Sequence, residues 1–187
     1  MLDPLLFSLA VLAILGTPGP TNTLLATGGA ASGWRSAWRL IPAEMAGYTL
    51  AILALGLLLG PAIAGQPWLA RAMRLAVACF LLGLAWKLWR RGLAGAAAGT
   101  AVTPGQVFLT TLLNPKAIIL ALGVVPFGQA PVLPYMLGFL AILAPVAAGW
   151  VLFGALLGRV GGSWVPLLGA GVIAGFALLL LARAISP

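Results

Sequence analysis

Apolar residues fill this chain in long blocks, separated by short clusters of Gly, Pro, Arg and Trp rather than by stretches of mixed polarity. Each block is about 20 residues long, enough to cross a hydrocarbon core of roughly 30 Å at about 1.5 Å rise per residue. The pattern predicts six helical spans. The first runs from about Pro4 to Thr27, followed by a short Gly/Ala/Ser loop with Gly33, Trp34 and Arg35. The second runs from about Ala37 to Leu59 and stops before Pro61. A Gly65-Gln66-Pro67 turn leads to the third, about Trp68 to Lys87. The fourth is about Pro104 to Val125, the fifth about Leu133 to Leu157 after a Pro/Gly turn around Phe127 to Pro134, and the sixth about Trp164 to Ala182 after a turn at Gly158 to Gly162.

The expected fold is an all-α membrane protein of one transmembrane domain over residues 1–187, made of two three-helix repeats. The first covers about residues 1–90, a linker about 90–103, and the second about 104–187. Composition supports the membrane setting. The chain is 63% hydrophobic and only 6% charged, against about a quarter charged in soluble domains, and its mean hydropathy is +1.15. The N-terminus, Met1-Leu2-Asp3-Pro4, lacks the basic start and small-residue cleavage site of a signal peptide, so the first span reads as a retained helix.

Charge changes the picture in two ways. The net charge of +8 rests on ten Lys/Arg against two acids, Asp3 and Glu44. These cations sit mostly at span ends and form no face that could track phosphates, which argues against nucleic-acid binding. They also orient the chain. Arg35, Arg39, Lys87, Arg90, Arg91 and Arg159 fall on one side, and Arg71, Arg74 and Arg183 on the other. The positive-inside rule puts the first group in the cytoplasm and both termini outside a bacterial inner membrane. Trp34, Trp38, Trp86, Trp89 and Trp164 fall at the same cytoplasmic interface.

Candidate chemistry is sparse. The single cysteine, Cys79, excludes an internal disulfide and a dithiol relay. With no histidine and no carboxylate cluster, a metal site, a cofactor and His-based catalysis lack raw material, and an enzyme is the weakest reading.

The distinctive feature lies inside spans one and four. Span one carries Thr17-Pro18-Gly19-Pro20-Thr21-Asn22, and span four carries Asn114-Pro115-Lys116. Proline removes a backbone donor and clashes with the preceding turn, so both helices should break there. Freed carbonyls inside lipid need partners, so each break must face protein or water. Thr17 before Pro18, and Asn114 before Pro115, read as N-caps followed by proline at the first helical position. Each break then presents a half-helix N-terminus, with orphan N–H groups and partial positive charge suited to an anion. The breaks fall in the first helix of each three-helix half, and odd parity inverts the second half relative to the first. Inverted-repeat transporters place their sites at such discontinuous helices. Static packing kinks are the alternative.

The segment Thr17-Pro18-Gly19-Pro20-Thr21-Asn22-Thr23-Leu24-Leu25, with Gly33-Trp34-Arg35 beyond it, resembles the start of the LysE/RhtB family of amino-acid exporters. Leu112-Leu113-Asn114-Pro115-Lys116-Ala117 looks like that family's second signature. The length and the six apolar spans match end to end. The common first motif has two asparagines after Pro-Gly-Pro; here the first is Thr21, a difference that bears on the substrate. The resemblance implies export of amino acids or related small metabolites, driven by protons. It makes Thr17, Pro18, Gly19, Pro20, Thr21, Asn22, Asn114, Pro115 and Lys116 the expected substrate-binding residues.

Glu44 is the only acid within an apolar run. An unpaired acid there costs several kcal/mol and usually faces a cavity or a partner. It is expected to couple protons to export, or else to form a static ion pair with Arg39 or Lys116. Lys116 could instead attract a substrate carboxylate. Tyr48, Thr49, Gln106 and Thr110 could line a polar path, and Pro145 should bend span five. Small-residue pairs at four-residue spacing (Gly29/Gly33, Ala43/Gly47, Gly154/Gly158, Gly171/Gly175) point to close helix packing within the chain or across a homodimer. Rivals to amino-acid export are export of a different small solute and a non-transporting membrane scaffold or assembly subunit.

Overall fold

A computed structural model describes residues 3–59, 67–93, 101–128, 131–160 and 164–185 of the chain. The described residues are helical, with no strand. The helices are α1 (Pro4–Gly16), α2 (Pro20–Ser32), a short α3 (Trp34–Ala37), α4 (Leu40–Leu53), α5 (Pro67–Leu93), α6 (Pro104–Leu112), α7 (Pro115–Ile119), α8 (Val132–Val160) and α9 (Trp164–Ile185). Two wider π-helical turns, Ala54–Leu59 and Leu120–Val124, extend α4 and α7 and touch each other.

Local chemistry sets the starts. α1, α2, α6 and α7 each begin at a proline, whose missing N–H is an orphan at that position in any case. Asp3 caps α1 by accepting from the Leu5 N–H at 2.8 Å. Thr103 and Gln106 cap α6 reciprocally, each side chain accepting from the other's backbone N–H. Gly33, at φ 73°, closes α2 in a conformation that only glycine adopts without strain.

α1 and α2 meet at a 60° bend, and α6 meets the α7 segment at 45°. The expected breaks in spans one and four are therefore present. Among the described residues, Trp34–Leu58 and Val132–Arg159 are long and apolar enough to cross a membrane, and the number becomes four if each bent pair is one span. These helices are compatible with a membrane protein. Several expected boundaries move. The loop at Gly33-Trp34-Arg35 contains the short helix α3, because Gly33 alone turns the chain and helix resumes at once. The third helix reaches Leu93, so Arg90 and Arg91 extend it rather than begin a linker; the rest of that linker lies partly outside the described residues, as do most of the turns at 60–66 and 161–163. α8 stays continuous through Pro145.

Most buried apolar residues fall into two clusters. One gathers Leu24, Leu25, Leu40, Leu81, Leu88, Val107, Val151 and Ile173 from α2, α4, α5, α6, α8 and α9. The other gathers Phe7, Val11, Leu15, Tyr48, Ile52, Leu120, Phe139 and Leu143 from α1, α4, the α7 segment and α8. The change of cluster happens at the breaks. The first span leaves one cluster at Leu15 and joins the other at Leu24; the fourth does the reverse between Val107 and Ala117. On α4 the change falls between Ile41 and Tyr48, where Glu44 sits.

α2 lies against α8 over a stretch with no room for side chains. A Cβ on Gly154 would collide with the Ala26 carbonyl, one on Gly29 with the Val151 carbonyl, and one on Gly158 with Ala30. Three of the small residues therefore pack within the chain. Gly171 and Gly175, by contrast, have open space beside them. Leucines stud the exterior, with Leu58, Leu133 and Leu5 each more than 60% exposed, an arrangement suited to lipid rather than to water.

Candidate functional site

Most of the buried polar side chains collect at the level where the two apolar clusters meet. Thr21, Asn22, Glu44, Thr111, Asn114 and Lys116 are all buried there or immediately beside it.

The first break satisfies its own freed backbone. α1 ends with the Leu15 and Thr17 carbonyls pointing past the helix end. The Asn22 amide donates to both, at 2.8 and 2.9 Å. The Lys116 ammonium also donates to the Thr17 carbonyl, bridging from the second break to the first. Gly19 permits this crossing, since a Cβ there would stand 3.0 Å from Lys116 Cε and 3.2 Å from Nζ. Gly19 is also the N-cap of α2, with Pro20 as its first residue and no side-chain cap. The expected N-cap at Thr17 is thus displaced by two residues. Of the two prolines only Pro20 opens the helix, and the Thr17 hydroxyl turns back to the Ala13 carbonyl at 2.6 Å.

The second break has the expected cap. Asn114 Oδ1 accepts from the Lys116 N–H at 3.0 Å, with Pro115 at the first position of α7. The Asn114 amide reaches across to the first break and donates to Thr21 Oγ1 at 2.8 Å, and to the Tyr48 hydroxyl of α4 at 3.1 Å. Thr111 donates to the Val107 carbonyl at 2.7 Å and lies 3.3 Å from Thr21 Oγ1. Two segments about ninety residues apart are thereby tied through side chains, in addition to the Lys116 contact with the Thr17 carbonyl.

Glu44 stands at this level on α4, 1% exposed. Its Oε2 is buried without a hydrogen-bond partner. Lys116 is its charged neighbour, but the ammonium is committed to Thr17, and no ion pair to Lys116 or Arg39 forms. The expected static pair is absent from this conformation.

Of the expected site residues, Asn114 bonds directly to Thr21 and to the Lys116 N–H, Asn22 and Lys116 share the Thr17 carbonyl, and Gly19 and Pro20 are buried beside them. Thr17 contributes its carbonyl, while Pro18 is exposed and faces a separate cavity of about 450 Å³ beside the break, lined by Thr23, Thr27, Trp150 and Phe153. Tyr48 joins the seam, and Thr111, not singled out from the sequence, belongs to it. The signal for Thr111 is its place in the last turn of α6, three residues before Asn114 at the break. Thr49 is only half-buried and bonds back to Met45. Gln106 and Thr110 lie off the seam. Among the described residues no cluster of His, Cys, Asp or Glu could hold a metal. No family model, curated protein or solved structure matches this chain.

Proposed function

We propose that the chain is a secondary exporter of amino acids or related small metabolites, working by proton-coupled alternating access in a bacterial inner membrane. In this reading it has six spans, as two inverted three-helix repeats. The observation that carries the proposal is the side-chain junction between the two broken helices, Asn114 to Thr21, at the level of a buried acid and a buried amine. Broken helices that meet at one depth are the arrangement by which transporters present backbone and side-chain groups to a solute.

Lys116 is the group suited to a carboxylate. A carbonyl now occupies its ammonium, and a negatively charged acceptor would make a stronger bond than a neutral one. A solute carboxylate would displace Thr17 from it, and an apolar side chain would find room in the cavity beside Pro18. Glu44 is suited to carry the proton. As a carboxylate it is costly to bury without a partner, and taking up a proton removes that charge.

One observation favours a second reading, a non-transporting scaffold: most polar groups of both breaks are satisfied by the chain itself. A solute-efflux screen in cells lacking and overexpressing the protein separates the two. The exporter lowers the cytoplasmic level of at least one amino acid or derivative, and an uncoupler abolishes the effect. No change in any solute leaves the scaffold.

A further inference from the structure

A second cavity, of about 460 Å³, lies between α5 and α6, within the range of about 300–1,000 Å³ typical of small-molecule sites. Lys87 from α5 and Thr103, Gln106 and Thr110 from α6 are its polar lining, set among the apolar side chains of Phe80, Leu84 and Leu109. The reciprocal cap uses the Thr103 and Gln106 oxygens as acceptors. What the cavity offers is an ammonium and an amide NH₂, which only donate, and the hydroxyls of Thr103 and Thr110, which donate or accept. Neither of the chain's two acids lines it.

Thr110 adds an independent observation. It is fully buried, its hydroxyl has no hydrogen-bond partner, and it lines this cavity. A buried hydroxyl without a partner is destabilising, and a polar ligand in the cavity would relieve it. Thr110 also adjoins Thr111, which contacts Thr21 of the first break.

We propose that this cavity is a receiving chamber for a small carboxylate-bearing solute, which waits there before reaching the seam between the breaks. The proposal rests on the exporter reading. Lys87 lies near the end of α5 and attracts the carboxylate; Gln106 and Thr110 hold the solute's polar groups further in. Thr110 is six residues into α6, about 9 Å along the helix at ~1.5 Å per residue. That depth sets a solute apart from a phospholipid. A lipid phosphate could reach Lys87, but its acyl chain would then lie against Thr110 and leave the hydroxyl unpaired. Lys87 belongs to the cytoplasmic group of basic residues, so the chamber opens on the side from which an exporter loads.

The chain carries its own reporter. Cys79, its single cysteine, is exposed and lines the chamber. Gly83, one turn further on, has nothing within 4 Å of where a Cβ would stand, so Gly83→Leu can fill the chamber without disturbing the fold. Gly171 has the same open surroundings on α9, away from the chamber, and Gly171→Leu is the control. The reconstituted full chain is treated with a charged thiosulfonate, and adduct at Cys79 is read by mass. The expected result is labelling that a mixture of proteinogenic amino acids slows about tenfold and soluble glycerophosphate does not. Amino-acid flux should fall about tenfold or more in Gly83→Leu and stay unchanged in Gly171→Leu. Failure of the charged reagent to label, labelling indifferent to amino acids, or protection by glycerophosphate alone would overturn the chamber. Wild-type flux that persists in Gly83→Leu overturns it while leaving the exporter standing. Absent wild-type flux removes the exporter, and Cys79 protection then decides the chamber by itself.

Discussion

Lys116 and Glu44 are neighbours that do not pair. The ammonium prefers the Thr17 carbonyl, which lies at the end of α1 with a lone pair to fill, and the acid is left with an unpartnered oxygen. This division gives each residue a separate experimental signature. Lys116→Met removes a charge-assisted contact worth about 1.5–3 kcal/mol, so solute affinity in reconstituted vesicles should fall roughly 10- to 150-fold; unchanged affinity would reduce Lys116 to holding α1. Glu44→Gln keeps the shape and removes the titrating group. Accumulation driven by a pH gradient should disappear, while solute exchange at equal pH on both sides persists. Gly19→Ala is a subtler probe. The extended backbone at Gly19 accepts alanine, and the new methyl's nearest neighbours belong to the flexible end of Lys116. The fold should survive with little change in thermal stability, while solute affinity shifts, because the end of Lys116 has to move by a few tenths of an ångström to make room.

At the scale of elements, both proline breaks could be read from the sequence because proline acts locally: it removes a donor wherever it stands. Asn114 was legible as an N-cap for the same reason. Which proline of Pro18-Gly19-Pro20 opens α2 was not, because that choice depends on Asn22 and Lys116 filling the carbonyls of α1, and Lys116 comes from ninety-nine positions away. Thr111 was hidden likewise, since a threonine in an apolar run bonds its own helix by default. Pro145 was expected to bend its span, and α8 runs through it as one helix. The small-residue pairs were legible as packing devices but not by partner. Gly154 meets the backbone of α2, while Gly171 meets open space. A leucine at Gly154 therefore has to push two helix backbones apart. Overpacking costs about 1–3 kcal/mol where side chains can yield, and here the opposing atoms are backbone. Gly154→Leu should lose well over that amount, seen as a large drop in melting temperature in detergent, whereas Gly171→Leu should melt as the wild type does.

At the scale of the molecule, the two apolar clusters and the polar level between them give the breaks a common depth, and the proposed inverted repeat supplies a reason for it. Three spans per repeat return the chain to the opposite side, so a point after α5 and the far C-terminus must lie on opposite faces. The positive-inside rule predicts which is which: Lys87, Arg90 and Arg91 would hold the end of α5 in the cytoplasm against the weaker pull of Arg71 and Arg74. A phosphatase that folds only outside the cytoplasm should then be inactive when fused after Leu93 and active when fused after Pro187. Neutralising both Arg71 and Arg74 to Gln should leave this pattern in place and sharpen it, because the cytoplasmic group then faces a single arginine. Equal activity at the two fusion points would mean that the chain between them crosses an even number of times. Two parallel or unrelated halves would then replace the inverted pair, and the meeting of α2 with α7 could no longer be ascribed to a repeated design.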